Sequence, residues 1–173
     1  MNPKKGRALF LDRDGIINVD SGYVYKIEDF KFTSGIFKTL LALQAKGFLL
    51  IIVTNQSGIA RGYYTEEDYR NLTIHMMEKL AKKGISIKGV YHCPHAPDEG
   101  CRCRKPRSGM FKAAQKEFKL DMKNSWMIGD KESDMKAAVN AGVKNRILLT
   151  KTKELSESTH RIKKISEAID IVV

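Results

Sequence analysis

At 173 residues the chain has the length of one domain and can bury a core without disulfide staples. Its longest uninterrupted apolar run, residues 48 to 53, is far too short to cross a bilayer, and Met1-Asn2-Pro3-Lys4-Lys5 lacks the apolar core of a signal peptide; a cytoplasmic protein with no membrane partner is expected. The net charge of +11 would suit a nucleic-acid surface, but the basic residues are scattered and lack stacking aromatics beside them, so they fit a solvated surface that favours small anions, and no nucleic acid is expected.

Ala8-Leu9-Phe10-Leu11 reads as a short buried strand halted by Asp12-Arg13-Asp14-Gly15. In an extended chain Asp12 and Asp14 project to one side and Arg13 to the other. Two carboxylates so close repel when both are ionised, so the pair would either bind a cation or keep one member protonated; alone, the same residues would also suit a surface turn. Residues 16 to 32, with Gly22, Tyr23 and Tyr25, predict a long irregular stretch of the kind that often carries function. From Ser34 on, Ile36, Phe37, Leu40, Leu41 and Leu43 recur at helical spacing, and Gly47 supplies a stop. Residues 48 to 53 predict a strand buried on both faces that ends in Thr54-Asn55-Gln56-Ser57-Gly58.

Thr65 and Asp68 form a capping-box pattern ahead of a helix whose Tyr69, Leu72, Met76 and Leu80 face the core and which runs to Gly84. Residues 89 to 92 suggest a short strand leading into a cysteine-rich loop. Ser108 opens a helix with Met110, Phe111, Ala114 and Phe118 inward, residues 125 to 128 form a strand closed by Gly129-Asp130, and residues 132 to 141 a helix capped by Gly142. Asp130 could be that helix's N-cap. A further strand covers residues 146 to 149; the basic tail then loses its period over residues 151 to 160 and ends apolar at Ile171-Val172-Val173. Strands alternating with helices predict an α/β fold, a single Rossmann-like domain over residues 1–173 with a parallel sheet covered on both faces. Ligands of such sheets sit at the carboxyl ends of the strands, where Asp12, Thr54, the cysteine loop and Asp130 all lie.

All three cysteines fall between positions 93 and 103, an odd number tightly grouped, which argues against a secreted disulfide framework and for a local metal site in a reduced compartment. Cys93, His95, Cys101 and Cys103 offer three thiolates and one imidazole, a set suited to a closed tetrahedral Zn²⁺ site of structural purpose. His92 adjoins Cys93, but an extended backbone directs it the other way.

Asp12-Arg13-Asp14-Gly15, Thr54-Asn55-Gln56-Ser57-Gly58, Arg104-Lys105-Pro106 and Gly129-Asp130-Lys131-Glu132-Ser133-Asp134 together resemble the four motifs of haloacid-dehalogenase-type phosphatases. With Cys93-Pro94-His95 and Cys101-Arg102-Cys103 the chain is similar to the zinc-carrying branch that includes heptose-bisphosphate and histidinol phosphatases. The resemblance implies a haloacid-dehalogenase-like fold, with Asp12 as a nucleophile forming an aspartyl-phosphate and Asp14 as the general acid and base. Asp14 would have to begin protonated, which the charge on its neighbour favours. Thr54 and Lys105 resemble the two groups that hold phosphoryl oxygens. Asp12 and Asp130 fit the one or two carboxylates that Mg²⁺ usually takes, to which the family pattern adds the backbone carbonyl of Asp14. Asp134 could orient its neighbours.

For the substrate, Asp20, Ser21, Gly22 and Tyr23 resemble the segment that contacts substrate in heptose-bisphosphate phosphatases, Arg104 the recognition arginine, and Asn55, Gln56, Ser57 and Lys131 further binding positions. The implied reaction is removal of the 7-phosphate of D-glycero-D-manno-heptose 1,7-bisphosphate by a monomeric enzyme whose partner is a phosphorylated sugar. That no second catalytic domain follows before Val173 favours this reading, whereas the five residues between His95 and Cys101 are closer to the histidinol-phosphate branch. Histidinol phosphate is the first alternative, and a non-catalytic, zinc-stabilised, basic nucleic-acid-binding module the second.

Overall fold

The computed structural model describes residues 5–173; the N-terminal residues read above against a signal peptide lie, up to Lys4, outside that range. Four apolar residues, Ala8–Leu11, form β1, and alternation sends them to opposite sides: Leu9 and Leu11 join one core, Ala8 and Phe10 the other. β2 (Leu49–Asn55) divides likewise, Leu50 and Ile52 against Ile51 and Val53. The helices complete the layers. On the first face lie α1 (Ile36–Ala45), α2 (Glu66–Lys82) and the short α5 (Ala168–Ile171); on the second lie α3 (Gly109–Phe118) and α4 (Glu132–Asn140).

With β3 (Ile87–Cys93), β4 (Trp126–Gly129), β5 (Asn145–Leu149) and β6 (His160–Ile162), the strands form one sheet in the order β3-β2-β1-β4-β5-β6. Every neighbouring pair is parallel. The chain winds outward from β1 to β3, then crosses to the far side of β1 at β4, so the order reverses between β1 and β4 and opens a crevice at their carboxyl ends. No helix among the described residues is long and apolar enough to cross a membrane.

The Thr65 capping box closes as expected, Asp68 N–H donating to Thr65 Oγ1 at 3.1 Å and Thr65 N–H to Asp68 Oδ2 at 2.8 Å. One expectation changes. Leu41 is 40% exposed, while Thr39 is buried with its hydroxyl donating to Gly35 O at 3.0 Å; the inward stripe of α1 is Ile36, Thr39, Leu40 and Leu43, and Leu41 falls off it. The tail is ordered at its end, where β6 pairs with β5 and Ile162, Ile165, Ala168 and Val172 enter the core. Burying an Ile or Val side chain stabilises by roughly 1.5–3 kcal/mol, which is what docks the end of the chain beyond the aperiodic stretch.

Candidate active site

The tip of β1 is fixed to that of β4 by one more ladder bond, Asp12 N–H donating to Ile128 O at 3.1 Å. Asp12 is buried, and its Oδ1 accepts from Arg13 N–H at 2.8 Å and from Lys105 Nζ at 2.9 Å. Lys105 Nζ also donates to Val53 O at 2.8 Å and pairs with Asp134 Oδ1 at 2.7 Å. Burial works against the charge on Lys105, but Asp12 and Asp134 outweigh it and hold the ammonium well above its ordinary range. Asp12 is pushed up to about 7 by burial, against the pull of Lys105.

Asp130, from the loop after β4, completes the cluster. Carboxylate oxygens of Asp12, Asp130 and Asp134 lie within 4.8 Å of one another, and Lys105 pairs with two of the three. Asp130 Oδ1 is buried without a hydrogen-bond partner, and burial pushes the group up to about 6. An orphaned carboxylate oxygen inside an acidic cluster fits a hard divalent cation such as Mg²⁺. Gly15 makes room for this approach: its φ is +89°, and a Cβ there would stand 2.6 Å from Asp130 Cγ. Asp130 is not the cap of α4. Lys131 occupies that position, its N–H donating to Asp134 Oδ2 at 3.1 Å, so Asp134 caps the helix with one oxygen and pairs Lys105 with the other.

Asp14 has different surroundings from those the sequence suggested. Arg13 does not point away; its side chain folds back, 1% exposed, and Nε and Nη2 donate to Asp14 Oδ1 at 3.2 and 2.9 Å. Nη2 also reaches Asp14 Oδ2 at 3.0 Å and Val24 O at 2.8 Å. Asn18 Nδ2 donates to Oδ1 at 3.0 Å, and Gln56 Nε2 to Oδ2 at 3.0 Å. The expected confrontation of Asp14 with Asp12 is replaced by an ion pair with Arg13, and the side chain of Asp14 stands outside the acidic cluster.

From the tip of β2, Thr54 is buried, and its Oγ1 accepts from Gln56 Nε2 at 2.9 Å. The Asn55 amide clasps the backbone of Lys105, donating to its carbonyl at 3.1 Å and accepting from its N–H at 3.0 Å. Above these residues opens a pocket of about 360 Å³. Eight of the nine residues assigned to substrate by resemblance line it: Asp20, Gly22, Tyr23, Asn55, Gln56, Ser57, Arg104 and Lys131. Ser21 is exposed beside it, in a turn that Gly22 N–H closes onto Asp20 Oδ1 at 3.0 Å. Asp20 also accepts from Lys131 Nζ at 3.1 Å; burial raises its carboxyl, but Gly22 N–H and Lys131 together bring it below the ordinary range. Lys105 lines the floor and joins the pocket to Asp12 beneath it.

The four expected zinc ligands converge. Cys93 Sγ lies 3.1 Å from Cys103 Sγ and 3.5 Å from Cys101 Sγ, and His95 Nδ1 lies 3.5 and 3.3 Å from the sulfurs of Cys93 and Cys103. All four ligand atoms lie within 4.8 Å of one another, close enough to share one ion, and the soft donor set fits Zn²⁺. His92 is outside it, stacked on Tyr69 with ring centroids 4.2 Å apart and its Nε2 3.1 Å from Glu66 Oε2.

A HAD-hydrolase-like family model matches residues 102–172. The chain is 51% identical over 166 residues to the D-glycero-alpha-D-manno-heptose-1,7-bisphosphate 7-phosphatase of Campylobacter jejuni, covering 96% of this chain and 95% of that protein. The chain belongs to the heptose-bisphosphate phosphatase family. Another member, the D-glycero-beta-D-manno-heptose-1,7-bisphosphate 7-phosphatase of Helicobacter pylori J99, is 49% identical, with 95% of each chain covered. The crystal structure of the D,D-heptose 1,7-bisphosphate phosphatase of B. bronchiseptica, complexed with magnesium and phosphate, superposes with a TM-score of 0.86 at 28% identity, covering 95% of this chain and 97% of that one.

As a member of this phosphatase family the protein is a hydrolase with a haloacid-dehalogenase-like fold, and the non-catalytic reading falls away. Sequence reasoning missed three residues of the site. Arg13 and Asn18 hold Asp14, and Tyr64, whose hydroxyl donates to Gln56 Oε1, lines the pocket. Arg13 was read as projecting away from the acids, and Asn18 lies close enough to them to have been considered; Tyr64, ten residues beyond Thr54, carries no local signal.

Proposed function

We propose that the protein hydrolyses the 7-phosphate of D-glycero-D-manno-heptose 1,7-bisphosphate. One observation carries this beyond the names of its relatives: the pocket holds cationic side chains at two places, Lys105 at the floor beside Asp12, and Arg104 and the Asp20-paired Lys131 on the walls. A substrate with a phosphate at each end matches that arrangement, the forked guanidinium of Arg104 suiting the phosphate that is kept.

In the first step an oxygen of Asp12 attacks phosphorus, the bond from phosphorus to the C7 oxygen breaks, and the departing oxygen takes a proton from Asp14. In the second, water attacks the phosphorus of the aspartyl-phosphate and gives a proton to Asp14, releasing phosphate and restoring Asp12. Thr54 and Lys105 hold the phosphoryl oxygens as charge shifts among them. Asp12, Asp130 and the backbone carbonyl of Asp14 would hold Mg²⁺, for which the partnerless Asp130 Oδ1 provides a fitting ligand. The cation supplies positive charge against the phosphoryl group. Cys93, His95, Cys101 and Cys103 would hold Zn²⁺ with no position open to water, so its part is to fix the loop that presents Arg104 and Lys105.

On this reading the enzyme acts in the cytoplasm as a monomer, without nucleic-acid or membrane partners, and its product feeds the synthesis of nucleotide-activated heptose for surface polysaccharide. Phosphate release is measured with Mg²⁺ on the α and β anomers of the bisphosphate and on histidinol phosphate. Turnover of either heptose anomer well above histidinol phosphate supports the proposal; the reverse order rejects it.

A further inference from the structure

Gln56 joins the two halves of the reactive centre. It is 2% exposed, and its Nε2 donates both to Asp14 Oδ2 at 3.0 Å and to Thr54 Oγ1 at 2.9 Å, while its Oε1 accepts from the hydroxyl of Tyr64. A primary amide has two hydrogens to donate, and both are taken. Gln56 therefore has no donor left for a substrate, and its place in the pocket wall needs another explanation.

The neighbours dictate which way the amide faces. As observed, Nε2 lies between two oxygens, Asp14 Oδ2 and Thr54 Oγ1, and Oε1 faces the Tyr64 hydroxyl, so every polar atom of the amide meets a complementary partner. Tyr64 reinforces the observed orientation: burial pushes its phenol up to about 12, so near neutral pH it remains an O–H donor aimed at Oε1. The ring of Tyr64 is itself held, stacked on Tyr25 with centroids 5.2 Å apart and planes 12° from parallel. Gly58 admits it, since a Cβ there would lie 2.7 Å from Tyr64 Cζ. Arg13 and Asn18 approach Asp14 from its own segment, whereas Gln56 reaches it from the residue just past β2, the strand that carries Thr54.

We propose that Gln56, oriented by Tyr64, is a positioning residue that fixes the carboxyl of Asp14 relative to the phosphoryl site at Thr54, so that the proton of Asp14 is delivered to the leaving oxygen. The proposal rests on the reaction proposed above and adds to it a residue pair that acts through Asp14 without contacting the reacting atoms.

The test is a double-mutant cycle on the heptose bisphosphate. Tyr64→Phe removes one hydroxyl and keeps the stacked ring; kcat is expected to fall roughly tenfold with KM within about twofold of the parent, since misplacing a general acid affects the chemical step and not substrate binding. Gln56→Leu is expected to lose more, and the double variant no more than Gln56→Leu alone, because Tyr64 acts through Gln56. A rise in KM at constant kcat, an unchanged kcat in Tyr64→Phe, or full additivity of the two losses would each overturn the proposal. If Gln56→Leu does not fold, the kcat and KM of Tyr64→Phe decide. If the parent hydrolyses a different phosphomonoester, the substrate reading fails and the same variants are compared on that ester; if it hydrolyses none, both fail.

Discussion

Lys105 Nζ stands 2.9 Å from Asp12 Oδ1, the two side chains belonging to segments 93 residues apart and both buried. Their pairing ties the tip of β1 to the segment that follows the cysteine loop. Lys105→Met would leave Asp12 and Asp134 facing one another without a counter-charge. Unfolding in urea without Mg²⁺ should show a loss of about 3–5 kcal/mol, the usual effect of breaking a buried pair, and turnover with Mg²⁺ should fall roughly a hundredfold or more. Asp12→Asn should abolish turnover while circular dichroism remains that of the parent; retained activity would remove Asp12 as nucleophile.

Gly15→Ala places a methyl against Asp130 at a position whose φ of +89° already disfavours any side chain. The expected result is a loss of stability of about 1–3 kcal/mol. The half-saturating Mg²⁺ concentration for turnover should rise as well, because Asp130 must move. A Mg²⁺ titration that overlays the parent's would show that Asp130 does not need that approach.

Stability and Mg²⁺ should be linked through pH. Burial raises Asp12 to about 7 and Asp130 to about 6 from 3.8. Between those values the unfolded chain binds fewer protons at these two groups than the folded protein, so their contribution to stability declines as pH rises. A cation among the carboxylates removes that penalty. The gain in melting temperature on adding Mg²⁺ should therefore be larger at about pH 8 than at about pH 5, and a gain that shrinks with rising pH would contradict the assignment.

Removing zinc should disable the enzyme without touching a reacting group. Protein purified without chelator should contain about one zinc per chain, and Cys103→Ser should lower both the zinc content and the melting temperature. Lys105 follows Cys103 by two residues, so turnover should fall along with them. Full activity in zinc-free protein would make the thiol cluster irrelevant to Lys105.

The inward face of α1 is testable at adjacent positions. Leu40→Ala, at a fully buried site, should cost about 2–5 kcal/mol, and Leu41→Ala about 0.5 kcal/mol or less. Urea midpoints measure both.

Those two leucines also mark how far the sequence could be read. Its period located α1, but five apolar residues in that stretch are more than one face can bury, and only packing against the sheet selects among them. The strand tips were legible because acids, Thr54 and thiols ending apolar runs are local features with few alternative uses. Arg13 was misread because backbone alternation sets where a side chain starts and says little about where a long guanidinium finishes. The role of Tyr64 depends on a return of the chain to Gln56 that has no period or motif, and β6 has three residues of which only Ile162 is buried, too few to alternate visibly.

The Asn55 amide presents to Lys105 the donor and acceptor that a neighbouring peptide group would offer, so the lysine is registered to β2 as though by an extra rung of the ladder. Cys103 anchors the same segment from its other side. Lys105 is thus pinned independently of residues 96–100, which connect His95 to Cys101. Insertions or deletions in that connection can therefore be accommodated during evolution while Lys105 keeps its place against Asp12, so the length of the loop is free to drift without moving the ammonium out of the acidic cluster.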